Sequence, residues 1–196
     1  TVAPDAIRQL DLEVSELSGG RIRVIDAPVS GGDIGARNAS LVVMVGGDRG
    51  AFDAVKPIFE LLGRTIRYFG PAGSGQYAKM ANQIAIASNM MGVCEAVAYA
   101  KRAGLDPAEV VETISGGAAG SWSLSNLAPR MLRGDYAPGF FIKHFIKDMG
   151  IALASAEEMH LDLPGLKLAK RLYDELSARG MEDSGTQALI RWYLKA

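Results

Sequence analysis

The sequence has few of the residues that mark several protein classes. Its single cysteine, Cys94, excludes an intramolecular disulfide and favours a reducing, cytoplasmic location. The two histidines, His144 and His160, occur in no spacing typical of zinc ligands, so no metal is predicted. The formal net charge is −1 without a run of basic residues, which argues against nucleic-acid or membrane-surface binding. No apolar run reaches the length of a membrane span.

The predicted secondary structure changes near residue 72. Before it, helical and strand patterns alternate, from a helix that begins at Pro4 and is ended by Gly19-Gly20 to the apolar strands "SLVVMVGG" and "TIRYFG". After it, the stretch from Gly75 to about Gly104 lacks proline and is small or apolar on almost every side, which is typical of a buried helix. A helix is predicted near 107–115, with Asp106 as its N-cap and Pro107 as its first residue. Further helices are predicted near 122–133, 143–160, 164–179 and 185–195. We therefore predict an α/β part over 1–72 and an all-α part over 73–196, built on one long central helix.

Residues Gly73 to Ala78, "GSGQYA", fit the glycine pattern of a dinucleotide-binding loop. A true loop of this kind is followed by a strand that ends in an acidic residue about 20 positions later. Here that position is Glu95, inside the predicted helix, and no strand follows. We interpret the match as accidental and expect the glycines to let the long helix begin close to the α/β part.

Three polar side chains lie on one face near the start of this helix: Lys79, Asn82 and Gln83. Because the surrounding residues are small or apolar, we expect the pKa of Lys79 to be lowered, so that its amine could act as a general acid or base. The two amides could hold the lysine or a substrate carbonyl. From the local pattern alone, a solvated lysine and amides that serve a neighbouring loop stay open as alternatives.

Three motifs occur together in this chain: "DAPVSGG" from Asp26, "GSGQYAKMANQ" from Gly73 and "FIKHFIKDMGIALA" from Phe141. In order and spacing they resemble the β-hydroxyacid dehydrogenase family, which includes 3-hydroxyisobutyrate dehydrogenase and tartronate semialdehyde reductase. The resemblance implies that 1–72 is the C-terminal part of a Rossmann-type dinucleotide-binding domain. It also implies that 73–196 is the all-α substrate and dimerisation domain, and that the main cofactor site lies upstream of Thr1.

The resemblance also implies the reaction, a reversible hydride transfer between NAD or NADP and a short 3-hydroxy acid or its semialdehyde. Lys79 matches the catalytic general acid and base. The substrate-binding positions are Ser30, Gly31, Gly32, Asn82 and Gln83, and the cofactor-binding positions are Thr1, Lys147 and Asp148. From the residues alone, Ser30-Gly31-Gly32 could equally be an anion-binding nest or a plain turn. A small carboxylate-bearing substrate and a homo-oligomer are expected; the alternative is a truncated or non-catalytic oligomerisation module.

Overall fold

The computed structural model describes residues 1–194, and these form two compact units. The first unit contains Thr1–Asn82 and Ala154–His160, and the second contains Gln83–Leu153 and residues 161–194. The predicted second domain and the predicted last helix extend to residues 196 and 195, which lie outside the described residues.

The first unit contains four strands and alternates them with helices. Its elements are α1 (Pro4–Ser18), β1 (Ile25–Asp26), β2 (Val29–Ser30), α2 (Gly32–Arg37), β3 (Leu41–Gly47), α3 (Arg49–Glu60), β4 (Gly63–Gly70) and the first turns of α4 (Ser74–Arg102), together with the end of the later helix Ile142–Glu158. Pro4 begins α1, where its missing N–H is not needed, and Gly19 ends it in a left-handed conformation, as the sequence predicts.

Strand β3 is the centre of the sheet. It pairs parallel with β4 and antiparallel with β1 and β2, so that Asp26 lies opposite Gly46 and Val29 lies opposite Val43. Helix α3 connects β3 to β4, and its Phe52 is buried with Leu41, Val43 and Val45 of β3. Apart from the exposed Val42, β3 is buried on both faces, which is typical of a parallel pair covered by its connecting helix.

The second unit is built from helices in the part of the chain that the structure describes. After most of α4 come α5 (Pro107–Ser115), α6 (Trp122–Asn126), α7 (Ala128–Leu132), α8 (Ile142–Glu158) as far as Leu153, α9 (Pro164–Ser177), a 3₁₀ turn (Thr186–Leu189) and α10 (Ile190–Tyr193). Its core is centred on Tyr173, whose ring packs edge-on to Phe145 at 5.2 Å and whose hydroxyl donates to the Thr186 carbonyl at 2.8 Å. The only pairing of strand type recorded among the described residues of this unit is an isolated bridge between Phe141 and Gly185.

The structure departs from the predicted elements at several places. The helix predicted over 185–195 begins as a 3₁₀ turn, which the short α10 follows. The helix predicted over 122–133 is two short helices, because Pro129 cannot donate the hydrogen bond that a continuous helix needs there. Helix α2 was not predicted, since its glycines have low helix propensity. One stripe of α4 is exposed, so the prediction of burial on all sides is wrong along Ala81, Ala85, Ser88, Gly92, Glu95 and Tyr99.

The described residues thus form a mixed α/β structure with a small sheet and many helices. None of the helices within residues 1–194 combines the length and the apolar character needed to cross a bilayer.

Candidate active site

Lys79 lies in the second turn of α4 and is buried, with 9% of its surface exposed. Its neighbours in the chain, Ala78 and Met80, are half-buried and buried. Charging an amine costs free energy where water is largely excluded, unless the charge is compensated. The structure therefore places the lysine that the sequence predicts to be catalytic in a largely buried position.

Gln83 and Lys147 meet at the buried carboxylate of Asp148 in the second unit. The Gln83 amide nitrogen donates to Asp148 Oδ2 at 2.8 Å, and Lys147 Nζ lies 2.9 Å from Asp148 Oδ1. The Asp148 side chain is 3% exposed, whereas that of Lys147 is 48% exposed. This arrangement fixes the amide of Gln83 and holds a half-exposed cation beside a buried anion. Asn82, one residue earlier on the helix, is half-buried.

Ser30, Gly31 and Gly32 form the junction between β2 and α2. Gly31 has φ 125° and Gly32 has φ 62°, a region of backbone conformation that favours glycine. Ser30 is half-buried and both glycines are exposed. The backbone of this junction is thus reachable from solvent, as an anion-binding turn requires.

Thr1 is exposed and lies just before α1. The next residue, Val2, donates its N–H to Oε1 of the buried Gln76 at 3.2 Å. The start of the chain is therefore tied to the first turn of α4 within the same unit.

The glycine stretch before Lys79 already holds an anion, and that anion is a protein side chain. Asp26 accepts from the N–H of Gly73 at 2.9 Å and from the N–H of Gln76 at 2.8 Å, and it is 3% exposed. A pyrophosphate at this loop would need the same donors and would meet a buried carboxylate. The interpretation that the "GSGQYA" match is accidental agrees with this geometry.

The described residues offer neither a reactive thiol nor a metal-binding cluster. Cys94 lies fully in the core, and burial raises the pKa of its thiol far above the ordinary value, so it is not a nucleophile. Over residues 1–194, no three His, Cys, Asp or Glu side chains are grouped as a metal would require.

The sequence predicted no role for Asp26 or Gln76, although both lie inside the three family motifs. Their signal is only visible with the fold, because Asp26 and its two amide partners are 47 and 50 residues apart in the chain. Neither helix periodicity nor local capping patterns reach across such a separation.

Two family models match the chain. Residues 73–193 match a model described as NAD-binding of NADP-dependent 3-hydroxyisobutyrate dehydrogenase, and residues 1–70 match the NAD binding domain of 6-phosphogluconate dehydrogenase. The chain belongs to the β-hydroxyacid dehydrogenase family. The resemblance carried by the three motifs is thereby confirmed, and the predicted cofactor class agrees with both descriptions.

Two bacterial proteins are similar in sequence to this β-hydroxyacid dehydrogenase chain. It is 63% identical over 171 residues to the uncharacterized oxidoreductase YkwC of Bacillus subtilis, covering 87% of this chain and 59% of that protein. It is 40% identical over 191 residues to 2-hydroxy-3-oxopropionate reductase of Escherichia coli, covering 97% of this chain and 64% of that protein. The chain thus spans about three fifths of the length of these two curated relatives.

A solved structure with the same fold is 3-hydroxyisobutyrate dehydrogenase from Salmonella typhimurium. The TM-score is 0.87 at 25% sequence identity, covering 97% of this chain and 66% of that one. The enzyme of the same name from Mycobacterium tuberculosis, solved with L-serine, gives a TM-score of 0.83 at 29% identity, covering 95% and 66%. The mixed α/β architecture is therefore that of the family.

Proposed function

We propose that this protein is an oxidoreductase that transfers a hydride between NAD or NADP and a short 3-hydroxy acid or its semialdehyde. The observation that carries the proposal is the burial of Lys79 at the start of α4, in a chain of this family. The names of the Escherichia coli and Salmonella typhimurium relatives support the same substrate class, since 2-hydroxy-3-oxopropionate is a semialdehyde acid.

The division of the molecule follows from the same proposal. Residues 1–72 are the C-terminal part of a Rossmann-type dinucleotide-binding domain, and residues 73–196 are the all-α substrate and dimerisation domain. In support, all four strands of the described residues lie before Pro71, and the two family models divide the chain between residues 70 and 73.

A nicotinamide dinucleotide would be held by Thr1, Lys147 and Asp148 and not by the Gly73 loop. The loop at Gly73 does not accept its pyrophosphate, because Asp26 occupies the amides there. The residues that would hold it are Thr1, Lys147 and Asp148, of which Lys147 offers a half-exposed ammonium group suited to an anionic or carbonyl oxygen. When bound, a nicotinamide cofactor supplies or accepts the hydride.

The remaining chemistry belongs to side chains of this chain. Lys79 donates a proton to the carbonyl oxygen during reduction and, as the neutral amine, removes the hydroxyl proton during oxidation. Ser30 and the N–H groups of Gly31 and Gly32 hold the substrate carboxylate. Asn82 and Gln83 orient the reacting end, which keeps it in the position that transfer requires. The lowered pKa of Lys79 stays a prediction.

The proposal is tested by changing Lys79 to alanine in the native protein. Loss of a positioned general acid and base lowers kcat by roughly 10²- to 10⁴-fold. We expect a loss of this size for short semialdehyde acids with NADH or NADPH, measured by absorbance of the reduced cofactor.

The matched control is Lys101→Ala, since Lys101 is an exposed lysine in the last turn of the same helix. We expect it to leave kcat unchanged. Near-normal turnover by the Lys79→Ala variant would overturn the catalytic role, and no turnover by the unchanged protein with any semialdehyde acid would overturn the proposed function. Self-association and a cytoplasmic location stay predictions.

A further inference from the structure

We propose that Asp26 is a positioning residue for the reaction, because it locks the strand that leads to Ser30 onto the start of the helix that carries Lys79. This inference rests on the proposed function. Asp26 touches neither substrate nor cofactor in this view, and acts through the backbone of α4.

The first step is the geometry of the Asp26 carboxylate. Each of its oxygens accepts one backbone N–H, Oδ1 from Gly73 at 2.9 Å and Oδ2 from Gln76 at 2.8 Å. These N–H groups lie at the start of α4, where amides have no partner within the helix and the helix dipole is positive. A buried carboxylate at this place is therefore satisfied by donors whose direction is fixed by the helix.

The second step is the absence of space around this carboxylate. A Cβ added at Gly46 would collide with Asp26 Oδ1 and would lie 2.7 Å from the backbone nitrogen of Gly75. A Cβ added at Gly75 would lie 2.7 Å from Asp26 Oδ2 and closer still to the Met44 carbonyl. The glycines thus allow the helix start, β3 and Asp26 to pack in direct contact, so the helix cannot shift without breaking these bonds.

The third step is the position of the proposed reacting groups. Asp26 ends β1, and Ser30 ends β2 four residues later. Gln76 precedes Lys79 by three residues, less than one turn of α4. One carboxylate therefore connects the segment proposed to grip the substrate with the segment proposed to transfer the proton. A misplacement of about 1 Å between such groups can cost roughly 100-fold in rate.

Ordinary helix caps in this chain differ from Asp26. Asp48 accepts from Ala51 N–H in α3, and Asp106 accepts from Ala108 N–H in α5, each at 2.8 Å and each from the exposed end of its own helix. A local cap stabilises a helix without fixing where the helix lies. Asp26 reaches α4 from another strand and is buried, so it fixes position as well.

The experiment compares Asp26→Asn and Asp26→Ala with Asp48→Asn in the native protein. Turnover is measured well below the unfolding temperature of every variant, where circular dichroism shows each to be folded. We expect kcat to fall about 10- to 100-fold for Asp26→Asn, which keeps one acceptor oxygen, and further for Asp26→Ala, with the KM for the cofactor within about twofold. Asp48→Asn should leave kcat unchanged.

Hydrogen exchange of the Gly73 and Gln76 amides supplies a readout that does not depend on activity. We expect faster exchange at both amides in the Asp26 variants and no change in Asp48→Asn. A lower unfolding temperature with unchanged kcat in the folded protein would overturn the proposal. The same exchange rates at both amides with and without the Asp26 substitutions would overturn it as well. This result does not depend on turnover, so it can be obtained even if the proposed function fails.

A further variant covers the case in which neither Asp26→Asn nor Asp26→Ala folds. Asp26→Glu keeps both acceptor oxygens and the charge, but its extra methylene pushes the helix start away from β3. We expect loss of kcat here as well. A folded Asp26→Glu protein with normal kcat would contradict a positioning role.

Discussion

At the scale of single residues, the carboxylates of this chain are held in two ways. Asp26 and Asp148 are buried; Asp26 accepts hydrogen bonds from two amides at the start of α4, and Asp148 accepts one from Gln83 and forms an ion pair with Lys147. Asp135 is half-buried and pairs with Arg130 through two hydrogen bonds. Buried carboxylates restrict the positions of the groups that they bind, whereas a pair that water still reaches acts mainly on stability and its pH dependence.

Asp135 makes the pH dependence of stability testable. The hydrogen bonds from Arg130 and from the Ala137 N–H hold the pKa of Asp135 at about 2, below the ordinary 3.8. A carboxyl group with a lowered pKa in the folded state stabilises fully above its unfolded pKa and loses that contribution as the pH falls through the folded pKa. The free energy of unfolding of the unchanged protein should exceed that of Asp135→Asn by a constant amount above about pH 5. This difference should disappear between about pH 4 and pH 2, as measured by urea unfolding.

The control adds Arg130→Met to Asp135→Asn. Removing the cation should change the stability further, because Arg130 also donates to the Ala137 carbonyl, but it should add no pH dependence in this range. A difference between the unchanged protein and Asp135→Asn that is flat from pH 3 to pH 7 would contradict the role of this pair.

At the scale of elements, two helices end at glycines that differ in conformation. Gly19 ends α1 with φ 60°, and Gly116 ends α5 with φ −84°. A Cβ added at either glycine would meet no clash. The pair therefore separates the conformational effect of a glycine from its packing effect.

Replacing each of these glycines by alanine should change stability in opposite directions. Gly19→Ala forces alanine into the left-handed region and should cost about 1 kcal/mol. Gly116→Ala keeps an allowed conformation and reduces the freedom of the unfolded chain, so it should stabilise by about 0.4–1 kcal/mol. Chemical denaturation measures both free energies, and equal signs would contradict this account.

Elements were predictable from the sequence where the signal is local. Pro4 and Gly19 mark the ends of α1, Asp106 and Pro107 begin α5 as predicted, and the valine-rich run predicts β3. The breaks were less predictable. Pro129 divides α6 from α7, where one helix over 122–133 was predicted.

At the scale of the whole molecule, the candidate site was predictable only in part. The three motifs named Lys79, Gln83 and Asp148, but spacing in the chain cannot show that Gln83 and Lys147 share one carboxylate. The same limit applies to Asp26, whose role depends on tertiary contacts with residues about 50 positions away. Periodicity reports faces of elements, whereas these side chains act through pairings between elements.

The weakness of cofactor binding expected for the 196 residues follows from the Gly73 loop, whose amides are occupied by Asp26. Dinucleotides are usually held by free backbone N–H groups at a glycine loop, and here the donors of Gly73 and Gln76 already bind Asp26. We expect NADH and NADPH to bind weakly, with a Kd above about 0.1 mM, measured by fluorescence of the reduced cofactor. Lys147→Ala should weaken any residual binding further. Saturable binding in the micromolar range would mean that these residues already contain a complete dinucleotide site, because contacts with the nicotinamide end alone do not provide that affinity.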